Sequence, residues 1–227
     1  ITIGKTTPVL TITSANAVNV NSSLTATVST TATGGRGGAI TYAIVAGSGS
    51  ATVNSSTGLI TGVSIGTVTL MATSAGDTNY YVATTSQLIT IGKTTPVLTI
   101  TSANTINVDG TLTATISTTA TNGRGGAVTY AIIFDTGSAT VNGSTGLITA
   151  VSFGTVTLTA TSAGDSNYYA ATTAQAITIG KTTPMLMITS ANTLHVDDSL
   201  TLAVSTTTTY GRGGAITFSI TAGSGSA

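Results

Sequence analysis

The chain has 227 residues, of which 5% are charged, with six Lys or Arg against six Asp or Glu and a formal net charge of +0; an ordinary soluble domain is about a quarter charged. Such a chain has no field with which to draw DNA, RNA or an anionic membrane surface, so nucleic-acid partners and polybasic lipid binding are excluded. With no Cys, no Glu and His195 as its single imidazole, it lacks the residues for disulfide frameworks, thiolate zinc sites, paired carboxylates and histidine bases, and no enzyme is expected.

Taken in order, the first 91 residues read as short strands. Runs are expected near 8–14, 18–32, 38–46, 51–54, 58–64, 66–74 and 82–91. Leu24, Ala26 and Val28 alternate with Thr25, Thr27 and Ser29. Ile40, Tyr42 and Ile44 alternate with Ala39, Thr41 and Ala43, and Val68, Leu70 and Ala72 with Thr67, Thr69 and Thr73. Successive side chains of a strand point to opposite faces, so each run buries one face and wets the other. The wet face is threonine, whose β-branch favours extended backbone while its hydroxyl stays hydrated. Gly- and Asn-rich clusters at 34–38, 47–50, 54–58 and 75–79 supply the turns. No stretch approaches the ~20 apolar residues of a spanning helix, so no membrane insertion is expected in this segment.

The pattern then repeats. Ile1 through Pro8 returns as Ile89 through Pro96 and as Ile177 through Pro184, an offset of 96 − 8 = 184 − 96 = 88 residues. Every Lys (5, 93, 181), every Arg (36, 124, 212) and every Pro lies on this lattice, and roughly three-quarters of positions 1–88 are identical in 89–176. That period exceeds the ~20–50 residues of solenoid repeats and suits a small domain. The expected organisation is the end of a preceding repeat (1–6), complete repeats at 7–94 and 95–182, and a partial one at 183–227. The sequence breaks off inside the third copy, so more of the string is expected beyond it. About seven strands per ~90 residues, without helical periodicity, point to an all-β chain of immunoglobulin-like sandwiches in an end-to-end rod.

Ala51-Thr52-Val53-Asn54-Ser55-Ser56-Thr57-Gly58-Leu59-Ile60-Thr61, followed by Gly66 through Thr73, resembles the core of bacterial Ig-like (Big-type) domains. Gly76-Asp77-Thr78-Asn79-Tyr80-Tyr81 through Ile89-Thr90-Ile91-Gly92-Lys93-Thr94-Thr95-Pro96 is similar to the junctions of long tandem surface proteins. The resemblance extends to giant adhesins, including gliding-motility surface adhesins of Bacteroidota. It implies a secreted, extracellular filament on the bacterial surface.

The candidate junction between repeats comprises Lys5, Pro8, Lys93, Pro96, Lys181 and Pro184, with the aromatic pairs Tyr80-Tyr81 and Tyr168-Tyr169 beside it. Proline fixes φ and holds its predecessor extended, so the linker should be short and stiff. At ~3.3 Å per strand residue each bead is on the order of 30–45 Å long. Asp77 with Asn79, and Asp165 with Asn167, offer oxygens to Ca²⁺. One acid per loop is few for a cation that takes ~6–8 oxygens, so a turn-forming Asp is favoured and no cofactor is expected. Asp109, Asp135, Asp197 and Asp198 read as off-lattice acids. Lysine isopeptide or Gln87 and Gln175 ester cross-links are weighed against a solvated Lys and an outward Gln, the favoured reading. Arg36-Gly37-Gly38 reads as a surface turn rather than an RGG box, and His195, alone at its lattice position, as neither ligand nor base. Asn21, Asn54 and Asn142 open formal N-x-S sequons, and Asp198-Ser199-Leu200 fits a short O-glycosylation pattern.

The expected function is a structural stalk or filament that projects a distal binding region and bears load. The alternative is a multivalent array of low-affinity glycan- or surface-binding modules. Expected partners are the neighbouring repeats of the same chain, and lateral self-association into fibres through Thr-rich edges that lack guarding Lys.

Overall fold

The structure, a computed structural model, describes residues 1–34, 37–121, 125–207 and 213–221. The first repeat contains β1 (Leu10–Ile12), β2 (Ala17–Asn19), β3 (Ser23–Thr25), β4 (Val28–Thr30), β5 (Ile40–Ala46), β6 (Ser50–Val53), β7 (Leu59–Ser64), β8 (Gly66–Ser74) and β9 (Ala83–Gly92). One face is a four-stranded sheet in the order β2-β9-β8-β5, the other a three-stranded sheet in the order β3-β7-β6, and β1 pairs with β4. All pairings are antiparallel except β2 with β9, which run parallel with Ala17 opposite Thr90, Val18 opposite Ile91 and Asn19 opposite Gly92.

The second repeat reproduces this plan. Its strands are β10 (Leu98–Ile100), β11 (Thr105–Asn107), β12 (Thr111–Thr113), β13 (Ile116–Thr118), β14 (Val128–Phe134), β15 (Ser138–Val141), β16 (Leu147–Ser152), β17 (Gly154–Ser162) and β18 (Ala171–Gly180). β11 again runs parallel to β18. The chain is therefore an all-β array of Ig-like sandwiches.

Alternation builds the core. On β8, Val68, Leu70 and Ala72 are fully buried, and Ile89 and Ile91 of β9 and Ile60 of β7 close over them; Val156, Leu158, Ile177, Ile179 and Ile148 do the same in the second repeat. The opposite face carries cross-strand rows such as Thr41, Thr73 and Thr84.

The run expected at 18–32 is instead three strands on different sheets. Asn21 adopts φ 61°, in the left-handed region that Asn and Asp enter more readily than other residues with a Cβ. Its N–H donates to Gly62 O at 2.9 Å and that of Ser22 to Asn19 O at 3.0 Å, so the chain turns out of the four-stranded sheet and into β3. Asp109 (φ 63°) and Asp197 (φ 66°) occupy the same lattice position. The off-lattice reading of these two acids is thus corrected: the position belongs to a backbone conformation, which either side chain serves.

Past residue 182 the chain forms β19 (Leu186–Ile188) and β20 (Val204–Thr206), paired as β1 is with β4. Leu10 and Leu98 are 7% and 8% exposed, whereas their counterpart Leu186 is 58% exposed.

Candidate inter-repeat junction

Five residues, Lys93 to Val97, separate β9 from β10, and they are not a free linker. Thr94 pairs in parallel with Tyr168 of the second repeat. Its N–H donates to Asn167 O at 3.3 Å, and the Tyr169 N–H donates to Thr94 O at 2.9 Å. Thr6 makes the same two bonds with Asn79 and Tyr81 in the first repeat, at 3.1 and 2.9 Å. Pro8 and Pro96 are buried at the entry to β1 and β10, Pro184 half-buried before β19. Lys93 Nζ donates to Asp165 O at 2.8 Å and stands 5.6 Å from the Tyr169 ring centroid, as Lys5 stands 5.8 Å from Tyr81. That is within cation–π range. Lys181, exposed, faces Phe153 of the second repeat at 5.3 Å.

The loop that receives the linker is organised by its acid. Asp77 Oδ1 accepts the N–H groups of Asn79 and Tyr80 at 2.7 and 2.9 Å, and Oδ2 accepts that of Gly37 at 2.8 Å. Asp165 does the same for Asn167, Tyr168 and Gly125, at 2.7, 2.9 and 2.9 Å. Each carboxylate already serves as the acceptor that closes its turn. Among the described residues no group of three or more His, Cys, Asp or Glu side chains is placed to hold a metal. Gly76 and Gly164 lie at φ 71° and 75°, and a Cβ on Gly76 would stand 2.9 Å from the Tyr80 oxygen. Glycine is required there by both conformation and close approach.

Side chains then cross from repeat to repeat. Tyr168, 1% exposed, joins the first repeat's buried cluster with Val20, and Ala120 packs against that cluster. Asn167 Oδ1 accepts the Ile65 N–H at 2.9 Å. Asn21 Nδ2 donates to the Tyr168 hydroxyl at 2.6 Å and to Thr119 O at 3.4 Å, while Thr121 Oγ1 donates to Asn21 Oδ1 at 3.3 Å. The Tyr168 hydroxyl is also 3.2 Å from Thr121 Oγ1 and accepts the Thr121 N–H at 3.2 Å. The paired tyrosines therefore divide: Tyr168 packs inward against the preceding repeat, and Tyr169 stays 55% exposed beneath its lysine. Tyr80 is half-buried and its hydroxyl reaches Thr33 in the same way, while Tyr81 is 55% exposed.

Sequence reasoning missed Asn21, Ile65, Thr119 and Thr121 as junction residues. Their signal was the 88-residue lattice itself, on which the left-handed position reads Asn21, Asp109, Asp197. The outward Gln is also corrected. Gln87 Nε2 donates to Ser14 O at 3.4 Å, and Gln87 Oε1 and Gln175 Oε1 are buried without a hydrogen-bond partner, beside Ser14 Oγ and Ser102 Oγ in the same condition. Asn54 and Asn142 of the sequons accept N–H groups of their own turns at 2.9–3.0 Å. Asp135 Oδ2 accepts the Thr155 hydroxyl at 2.5 Å, and His195 and Asp198 are exposed. Arg36 lies outside the described residues.

Residues 93–170 match the family model of the bacterial Ig-like domain (group 2). The chain is built of tandem Ig-like repeats. Domains of this kind are structural or adhesive modules, as a rule non-catalytic and commonly extracellular or surface-associated. Among solved structures the chain is similar to fibronectin(III)-like modules of Clostridium thermocellum CbhA, with 14% identity, a TM-score of 0.27 and coverage of 76% of this chain and 95% of that one. It is also similar to immunoglobulin domains 1–5 of Sidekick-1, with 14% identity, a TM-score of 0.31 and coverage of 88% of this chain and 45% of that one. No curated protein matches it. No helix of the described residues is long and apolar enough to cross a membrane.

Proposed function

We propose that this chain is part of the load-bearing stalk of a bacterial surface adhesin or filament, displayed outside the cell, with repeat boundaries at 94/95 and 182/183. The observation that carries the reading is the way the chain enters and leaves each repeat. β2 and β9 lie side by side and parallel, as do β11 and β18. A pull on the two ends of a repeat therefore draws these strands past one another along their length, and the bonds between them resist together instead of opening one at a time. Two further bonds extend the pairing, Thr90 N–H to Asn16 O and Val20 N–H to Gly92 O, both at 2.9 Å. Gliding-motility adhesins fit this role, and lateral association through the uncharged threonine faces would bundle such stalks. For the alternative of glycan-binding modules the exposed aromatics include Tyr81, Tyr169 and Phe153, whose rings are faced by Lys5, Lys93 and Lys181, together with Phe134 and Phe218.

Single-molecule pulling of the full chain tests the stalk. Two sawtooth events are expected, each lengthening the chain by about 26 nm, the ~30 nm of 88 extended residues at ~3.4 Å apiece less the ~4 nm that a folded repeat already spans. Thr178→Pro removes the N–H that bonds Asn104 O at 2.9 Å and should lower the force of one event only. Repeats that open at low force, without distinct events, would refute the reading.

A further inference from the structure

Asn21, Tyr168 and Thr121 close a ring of hydrogen bonds across two repeats. Asn21 Nδ2 donates to the Tyr168 hydroxyl, that hydroxyl donates to Thr121 Oγ1, and Thr121 Oγ1 donates back to Asn21 Oδ1, with contacts of 2.6, 3.2 and 3.3 Å. The second hydrogen on Asn21 Nδ2 reaches Thr119 O. An amide is suited to this place because it both donates and accepts. The left-handed turn that presents it is also what carries the chain from β2 into β3, so Asn21 is held between two strands, while Tyr168 is held by its bridge to Thr94.

We propose that the residue in this left-handed turn is the receptor by which each repeat binds the tyrosine and threonine of the next, and that its identity sets how firmly the junction is held. Asn latches the junction, as at position 21. Asp, the residue at 109 and 197, accepts hydrogen bonds but has no N–H to donate to the carbonyl equivalent to Thr119 O. Junctions led by Asp therefore lack this donor bond, and joints along the array differ in firmness according to one side chain. The partner of this surface is the entry face of another repeat, presenting a tyrosine hydroxyl, a threonine hydroxyl and a threonine carbonyl. The inference rests on the stalk reading and adds to it a rule for the stiffness of each joint.

The chain has no Cys, so Thr52→Cys and Thr140→Cys, both on exposed strand positions, give two defined labelling sites in the full chain. Pulsed electron spin resonance between nitroxides there should show one narrow distance. Asn21→Asp and Tyr168→Phe should each replace that peak with a broad distribution, whereas Thr121→Ser, which keeps the hydroxyl, should retain it. Tyr80→Phe is the control: its hydroxyl makes the same contacts with Thr33 inside the first repeat and should leave the distance unchanged. A narrow peak surviving in both Asn21→Asp and Tyr168→Phe would overturn the latch, as would equal broadening by Tyr80→Phe. A broad distribution in the unsubstituted chain would instead count against the stiff stalk itself.

Discussion

Removing core volume from the second repeat should weaken the first. Leu158 is fully buried on β17, and Leu158→Ala at such a site costs about 2.7–5 kcal/mol. A domain of 88 residues at ~0.05–0.15 kcal/mol per residue has about 4–13 kcal/mol in total, so the variant loses a large share of its stability and the second repeat unfolds ahead of the first on heating or in urea. When it unfolds, the first repeat loses the Asn167 acceptor of Ile65 and the Tyr168 partner of Asn21, at 2.9 and 2.6 Å. At about 1 kcal/mol per net hydrogen bond the loss is about 2 kcal/mol. For a domain of this size that is about 8–16 °C in Tm. Hydrogen exchange read by mass spectrometry during thermal or urea titration resolves the two repeats by their peptides; Val68, Leu70 and Ile89 report the first, Val156 and Ile177 the second. The expected result is early exchange in the second repeat with the first shifted down by this amount. An unmoved first repeat would show that the junction contacts carry no stabilising energy and that the beads fold independently.

Asp165→Ala removes the acceptor of three N–H groups and should destabilise the second repeat by about 2–4 kcal/mol in urea titration; an effect below about 0.5 kcal/mol would contradict the turn role. Gly164→Ala places a Cβ 2.7 Å from the Ala170 nitrogen at φ 75° and should lower the Tm of the second repeat by more than the ordinary cost of a surface substitution, about 0.5 kcal/mol. Added calcium and its removal by chelator should leave both transitions in place, since the Asp77 and Asp165 carboxylates already close their own turns; a calcium-dependent rise in Tm would point to a cation site instead.

What was legible in the sequence is what periodicity encodes. Val68, Leu70 and Ala72 announce a half-buried strand because side chains alternate, and Pro8, Pro96 and Pro184 mark an 88-residue unit because each copy repeats them. The turn at Asn21 was hidden because it interrupts a run that alternates well on both sides; hydrophobic pattern carries no trace of a positive φ. Tracking acids by charge separated Asp109 and Asp197 from Asn21, although conformation unites them. The inward Gln87 was hidden for a related reason, since a polar residue flanked by Ser86 and Leu88 gives no sign of which face it occupies at the sandwich edge. Contacts between repeats arise from surfaces that only folding brings together, and Thr119 and Thr121 look like any other threonines of this chain.

The first two copies differ at 20 of 88 positions, most of them away from the junction, and a few fall beside it. On the leaving face of a repeat, Asn21 becomes Asp109, Gly62 becomes Ala150 and Ile65 becomes Phe153. On the entry face, Asn79 and Tyr80 recur unchanged as Asn167 and Tyr168, and Thr31 and Thr33 as Thr119 and Thr121. The residues by which the entry face, the plug, makes its hydrogen bonds thus recur between copies, while its Ala120 becomes Thr208 and Asn21 of the leaving face, the socket, becomes Asp109. Near-identical neighbours are prone to exchange strands and misassemble, and a changed socket residue cannot prevent this, because the strands themselves remain alike. What differs at the contact itself is the donor at position 21 and the side-chain volume at 65, whose N–H bonds Asn167. Position 21 is the one of these whose side chain bonds the next repeat without joining a core. Ile65 packs on the first repeat's buried cluster and Ala150 lies within the second's, so a change of side chain at 21 alters the joint with the least effect on its neighbours.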